Sequence, residues 1–390
     1  MRAGPGIFAR TAVLIGLLLA AAPVQAQATY DIHVILALTG GGAFLGKQEQ
    51  QALQLEEPVI NRAGGVHGKP VRFVYHDDQS SPQLAVQLTQ EVLATKPQIL
   101  LGSSLVATCN AMAPLVASGP VTYCFSAGIH PPAGSFMFTS SVSTQDQAEA
   151  MLRFFREKGW TRFVTVTSTD ATGQDADKGF ATLLAKPDFK DMHLLEQVHF
   201  DIKDVSVAAQ IERLKAVGAQ AWIGWSTGSP IATVWRGAVQ AGLDLPSGTT
   251  GGNMTYAQMR QFQAFLPKQL YFPSAQYPLY GSADFHADPG VAAKQKDMFQ
   301  AYEAAGGKPD EGSVLSWDPA ITLVAVLNKL PATASAVQIR DYMQTLTGQP
   351  GVSGLYDYAK TPQRGLSIEN CVISRWNGQT ERWDAVAMAK

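Results

Sequence analysis

Short apolar runs recur along this chain, separated by longer stretches whose apolar positions fall three and four residues apart. The runs at 32–38, 71–75, 98–101 and 121–125 are apolar at nearly every position. A strand covered on both faces reads that way, so these predict buried parallel strands. Between them, 45–61, 82–95 and 107–117 carry the helical period. Pro58 conflicts with the first of these helices; it lacks an N–H and predicts a kink or an irregular turn.

A second alternating set follows. Residues 144–158 predict a helix stopped by Gly159. Strands are predicted at 162–168, 193–200, 221–225 and 270–272, with helices near 173–185, 204–217 and 229–241. Asp204 to Ser206 offers an N-cap, and Gly218 and Gly242 offer stops. The pattern is helical from about 289 to 347, then β-like through GLYDYAK and LSIENCVISRW, with a turn at Asn377-Gly378 before a final strand. The fold class is therefore α/β: two doubly wound parallel-sheet lobes. Ligands of such sheets bind beyond the carboxyl ends of the strands, so two facing lobes enclose one cleft.

Residues 1–26 change the setting. Arg2 and Arg10 precede an apolar core at Thr11 to Ala22, and Val24-Gln25-Ala26 ends in small residues. This is the pattern of an export signal peptide cleaved near Ala26, with an apolar core too short for a membrane span. The about 360 residues that follow exceed what one core organises and predict two domains. The formal net charge is −2, with no Lys/Arg cluster, so nucleic acid and anionic membrane are not expected partners. The histidines are scattered, and no metal or cofactor is expected. Export permits a disulfide. Cys109 and Cys124 fall at the same carboxyl edge of the first sheet, where they are either bridged or two buried free thiols; Cys371 is then unpaired.

Catalysis finds little support. Ser126 sits in F-S-A-G, without the G-x-S-x-G elbow. The Gly-rich turn at 39–46 raises a dinucleotide loop, but Gly40, Gly42 and Gly46 miss the G-x-G-x-x-G spacing by one. Asp77 and Asp78 come too late to hold a ribose and are expected to cap the next helix or turn.

With these features in view, the chain resembles the type I periplasmic solute-binding proteins, specifically the leucine/isoleucine/valine-binding family of branched-chain amino acid ABC transporters. The matching pieces are LTG…G at 38–46, VINRAGGVHGKPVRFVYHDDQSSPQLAV at 59–86, LLGSSL at 100–105 and FSAG at 125–128. Further matches are TSTDATGQD at 167–175, VQAGL at 239–243, GGNMT at 251–255 and TPQRGL at 361–366. The block at 59–86 is the specific one.

The resemblance implies a first lobe of 28–145 plus 277–350, a second of 146–276 plus 351–390, and a three-crossing hinge. It implies a monomer that captures a small molecule and docks on a membrane permease with its ATPase; a sensory role with a signalling partner is the alternative. It also implies a site. Val106 stands where a family serine holds the ligand carboxylate, with Ser103, Ser104 and Thr108 as nearby hydroxyls. Ser126, Ala127 and Gly128 match a carboxylate-gripping loop in which Gly128 replaces a threonine. Leu45 and Thr172 replace tyrosines, and Thr250 and Gly251 stand where an acid would bind the ligand ammonium. Phe44, Leu45, Trp225 and Tyr277 are expected at the pocket edge, with Asn253 for orientation, and closure adds Thr172, Trp225, Thr227 and Asn253. An unpaired buried ammonium costs several kcal/mol, so the expected ligand is an aromatic or other partly apolar carboxylate, and an amino acid is the alternative.

Overall fold

The computed structural model describes residues 28–389, together with Met1 and Gly4; the signal-peptide expectation lies outside the described residues. The first sheet has the order β2-β1-β3-β4-β5, from β1 (Tyr30–Leu36), β2 (Val71–Asp77), β3 (Ile99–Leu101), β4 (Val121–Cys124) and β5 (Met137–Thr139). All its pairings are parallel, with Tyr30 opposite Val71 and Ile99 opposite Val121. The crossovers are α1 (Ala43–Arg62), α2 (Pro82–Ala94) and α3 (Val106–Met112). Helices cover both faces, which is why these strands read as continuous apolar runs. α1 is continuous through Pro58. Its length is packed along a long helix of the same lobe, which holds the path despite one lost backbone bond.

The second sheet has seven strands in the order β14-β13-β10-β9-β8-β6-β7. β6 (Arg162–Ser168), β7 (His193–Phe200), β8 (Ala221–Trp225), β9 (Ser247–Gly248) and β10 (Leu270–Ser274) are parallel. They alternate with α4 (Thr144–Glu157), α5 (Ala171–Leu184), α6 (Ala208–Ala216), α7 (Ile231–Gln240) and α8 (Tyr256–Gln261). The chain then returns to the first lobe as α9 (Pro289–Ala304), α10 (Glu311–Lys329), which packs along α1, and α11 (Ala336–Gln344). A small hairpin, β11 (Gln349–Pro350) and β12 (Leu355–Tyr356), precedes β13 (Val372–Asn377) and β14 (Arg382–Met388), which add antiparallel strands to the second sheet.

Residues 352–366 are hydrogen-bonded to α10 and to strands of the first sheet. Asp318 accepts from Val352 N, Ser353 N and the Tyr356 hydroxyl at 2.7, 2.9 and 2.9 Å. The Tyr358 hydroxyl lies 2.7 Å from that of Tyr123 on β4, and Thr139 N donates to Gln363 O. Residues 352–366 are therefore bound into the first lobe, because the buried Asp318 carboxylate and the Tyr123 hydroxyl find their partners there.

Candidate ligand-binding site

Each carboxyl-end loop is shaped by a polar anchor. After β1, Asp77 accepts from Leu38 N, Thr39 N and Gln79 N at 2.9–3.1 Å, fixing the Gly-rich turn. After β3, Ser103 donates to Asp78 and Thr108 donates to Ser103 at 2.8 Å. Cys109 and Cys124 are joined in a disulfide with Cα atoms 6.2 Å apart, tying the start of α3 to the end of β4; Cys371 is free and buried. After β6, Asp170 caps α5 by accepting from Thr172 N and Gly173 N. After β8, Asn253 accepts from Gly228 N and donates to Ser226 O and to Thr249 Oγ1.

These loops surround a cavity of about 30 Å³ between the lobes. Its occupant is therefore small. Leu45, Ser104, Ser126, Ala127, Gly128, Thr172, Trp225 and Thr227 line it, so eight of the thirteen residues expected from the sequence are gathered at one place. The other five lie elsewhere. Phe44 packs edge-to-face on Phe262 at 5.5 Å, outside the cavity. One helical position turns Leu45 inward and Phe44 across to the other lobe. Ser103 and Thr108 are fully buried, Ser103 donating to Asp78 and Thr108 to Ser103 and Leu105 O. Asn253 is fully buried as the brace of the Gly228 loop, and Tyr277 is buried in the short helix after β10.

Sequence reasoning missed Phe125, Ser141, Thr144, Gln147, Gly252 and Leu315 as lining residues, and most of all Glu311. Thr250, where the resemblance predicts an acid, lines the cavity as a hydroxyl. The carboxyl group arrives instead from the first turn of α10. One Glu311 oxygen accepts from Ser141 Oγ at 3.2 Å, and Oε2 has no partner among the described residues. Burial raises its pKa to about 8, so it is protonated at neutral pH. Burial likewise raises its neighbour Asp310, the α10 N-cap, to about 7. The only signal in the sequence is the pair Asp310-Glu311 before a helical stretch, which any helix start displays.

Among the described residues, no Lys, Arg or His lines the cavity. The lining is apolar at Leu45, Val106, Phe125, Trp225 and Leu315; the rest is hydroxyls, the Gln147 amide, the Glu311 carboxyl and backbone. Trp225 also packs edge-to-face on Phe180, so its ring is held rigidly. Gly128 admits no side chain: a Cβ there would lie 2.7 Å from Val106 Cγ2 and 3.1 Å from Thr144 Oγ1.

The two lobes touch around this cavity. Ser229 N donates to Gly41 O at 3.0 Å, and Gly228, at φ +83°, leaves no room for a Cβ, which would lie 2.2 Å from Gly41 O. Glu311 N donates to Met254 O at 3.1 Å, and Tyr256 N to Asp310 Oδ2 at 3.2 Å. His130 Nε2 lies 2.7 Å from Asp175 Oδ1.

Among the described residues, no helix is long and apolar enough to cross a membrane, and no group of His, Cys, Asp and Glu is placed to hold a metal. Residues 29–380 match the family profile described as periplasmic binding protein. No curated protein matches the chain in sequence. Among solved structures, the branched-chain amino acid transporter substrate-binding protein LivJ of Streptococcus pneumoniae, in complex with isoleucine, is 17% identical with a TM-score of 0.76, over 92% of this chain and 99% of that one. The leucine-binding protein LivK of Thermotoga maritima is 18% identical with a TM-score of 0.78, over 92% and 98%. A solute-binding protein of an ABC transporter from Rhodopseudomonas palustris, in complex with benzoate, is 18% identical with a TM-score of 0.74, over 93% and 96%. At these identities the likeness is one of fold. The profile match and the shared architecture together make this chain a member of the periplasmic binding protein family, with the type I fold of the leucine/isoleucine/valine-binding proteins.

Proposed function

We propose that this protein is the periplasmic receptor of an ABC importer and captures a small, partly apolar carboxylate, of the size and character of benzoate, between its lobes. The observation that carries the reading is the lining of the cavity: Leu45, Val106, Phe125, Trp225 and Leu315 beside hydroxyls and backbone, with an acid whose pKa burial raises to about 8. Among the described residues Glu311 is the only acid in that lining, and a flat apolar group gains burial at about 25 cal/mol per Å². The benzoate bound by the Rhodopseudomonas palustris protein supports the same ligand class. The export pattern at 1–26 supports a periplasmic setting, where the loaded receptor docks on a permease with its ATPase.

A second reading has one observation behind it. The Glu311 oxygen without a partner is a site for an ammonium, which favours a branched-chain amino acid of the kind bound by LivJ. The two are separated by titrating the purified protein with benzoate and with leucine, isoleucine and valine in a thermal-shift panel, where a ligand stabilises by mass action. Stabilisation by benzoate alone supports the carboxylate; stabilisation by the amino acids alone overturns it.

A further inference from the structure

Arg364 is buried at 6% exposure, and burial lowers its pKa to about 10, which leaves it charged at neutral pH. It makes no ion pair among the described residues. Its guanidinium instead donates to three backbone carbonyls, Ser141 O and Ala127 O at 3.1 Å each and Ile129 O at 2.6 Å. Asp146 and Asp175 lie near enough to act on this charge, and the carbonyl dipoles offset more of the cost of burying it.

The three carbonyls belong to the two loops that form one side of the cavity. A trans peptide holds its C=O and the following N–H antiparallel. Ala127 O is turned toward Arg364, so the Gly128 N–H is turned the opposite way. Gly128 lines the cavity, and its N–H has no partner among the described residues. Ser141 sits at φ +67°, a region few non-glycine residues occupy; Arg364 on its carbonyl and Glu311 on its hydroxyl hold it there.

We infer that Arg364 is the positioning residue of an anion subsite: its hold on the Ala127 carbonyl aims the Gly128 N–H at the ligand carboxylate. The inference rests on the carboxylate reading above. The guanidinium polarises the Ala127–Gly128 peptide, and a polarised donor in a low-dielectric site binds an anion more strongly. Arg364 comes from the 352–366 segment, distant in sequence from both loops, and so is silent in any reading of the loops alone.

The test compares benzoate with its uncharged isostere benzamide by isothermal titration, on the wild-type protein and on Arg364→Gln and Arg364→Lys. Wild type is expected to prefer benzoate. Arg364→Gln is expected to lose about tenfold to a hundredfold in benzoate affinity, with benzamide unchanged. Arg364→Lys, which keeps the charge and loses the fork, recovers part of the preference. If wild type prefers benzoate and Arg364→Gln keeps the same ratio, the role of Arg364 is overturned and the carboxylate reading stands. If wild type binds benzamide as well as benzoate, or neither, the carboxylate reading is overturned and the subsite with it. Should Arg364→Gln not fold, amide NMR of the wild type decides: benzoate shifts the Gly128 proton downfield, and an unmoved resonance overturns the subsite.

Discussion

At the scale of single residues, Glu311 controls how this cavity behaves with pH. Its acid is protonated below about 8 because burial disfavours the charged form. Raising the pH through that value places a negative charge beside an anionic ligand. Benzoate affinity is expected to fall roughly tenfold or more between about pH 7 and pH 9, a change of at least about 1.4 kcal/mol. Glu311→Gln flattens the profile; a profile equally steep in that variant would assign the effect to another group. Stability follows the same sign. The folded pKa of Glu311 is raised from 4.5 to about 8 and that of Asp310 from 3.8 to about 7. The stability present below those lower values is lost as pH rises through about 7 and 8. Urea denaturation at several pH values shows it directly, with a smaller loss in Glu311→Gln. None of this was legible from the loops. An acid at a helix start is ordinary in sequence, and only the packing of α10 along α1 and the approach of Met254 bury it.

At the scale of elements, the strand runs were read well because burial on both faces leaves an unbroken apolar signature. β5 and β9 were not read as strands, at three and two residues too short for a period to show. The bond between Cys109 and Cys124 is an element-scale device. It ties the first turn of α3 to the end of β4, next to the loop that carries Ser126 to Gly128. Closing a loop of sequence separation 15 removes chain entropy worth about 3 kcal/mol from the unfolded state. Replacing both cysteines by alanine is expected to lower unfolding free energy by about 2–4 kcal/mol in urea titration. A loss below the error of that measurement would mean that packing alone orders the two loops.

At the scale of the whole molecule, the lobes meet through backbone, and Gly228 marks the place. Gly228→Val puts carbon atoms where Gly41 O lies, at a φ that a β-branched residue rarely adopts. The variant is expected to stay folded, to scatter X-rays as a more open molecule, and to bind ligand at least about tenfold more weakly, since closure contributes contacts only in the closed state. Wild-type affinity in this variant would show that capture does not require these loops to meet.

By itself, the sequence determined two α/β sheets, the order of their elements, the side of each sheet on which a ligand sits, and most of the loops that reach it. Those properties follow from periodicity and turn chemistry, which are local. The tertiary structure decided which residue of each loop lines the cavity: Leu45 and not its neighbour Phe44, Ser104 and Ser126 and not Ser103. It also brought in Glu311 and Arg364, from segments far along the chain. Burial and the pairing of buried polar groups are properties of contacts between distant segments, and no local pattern records them.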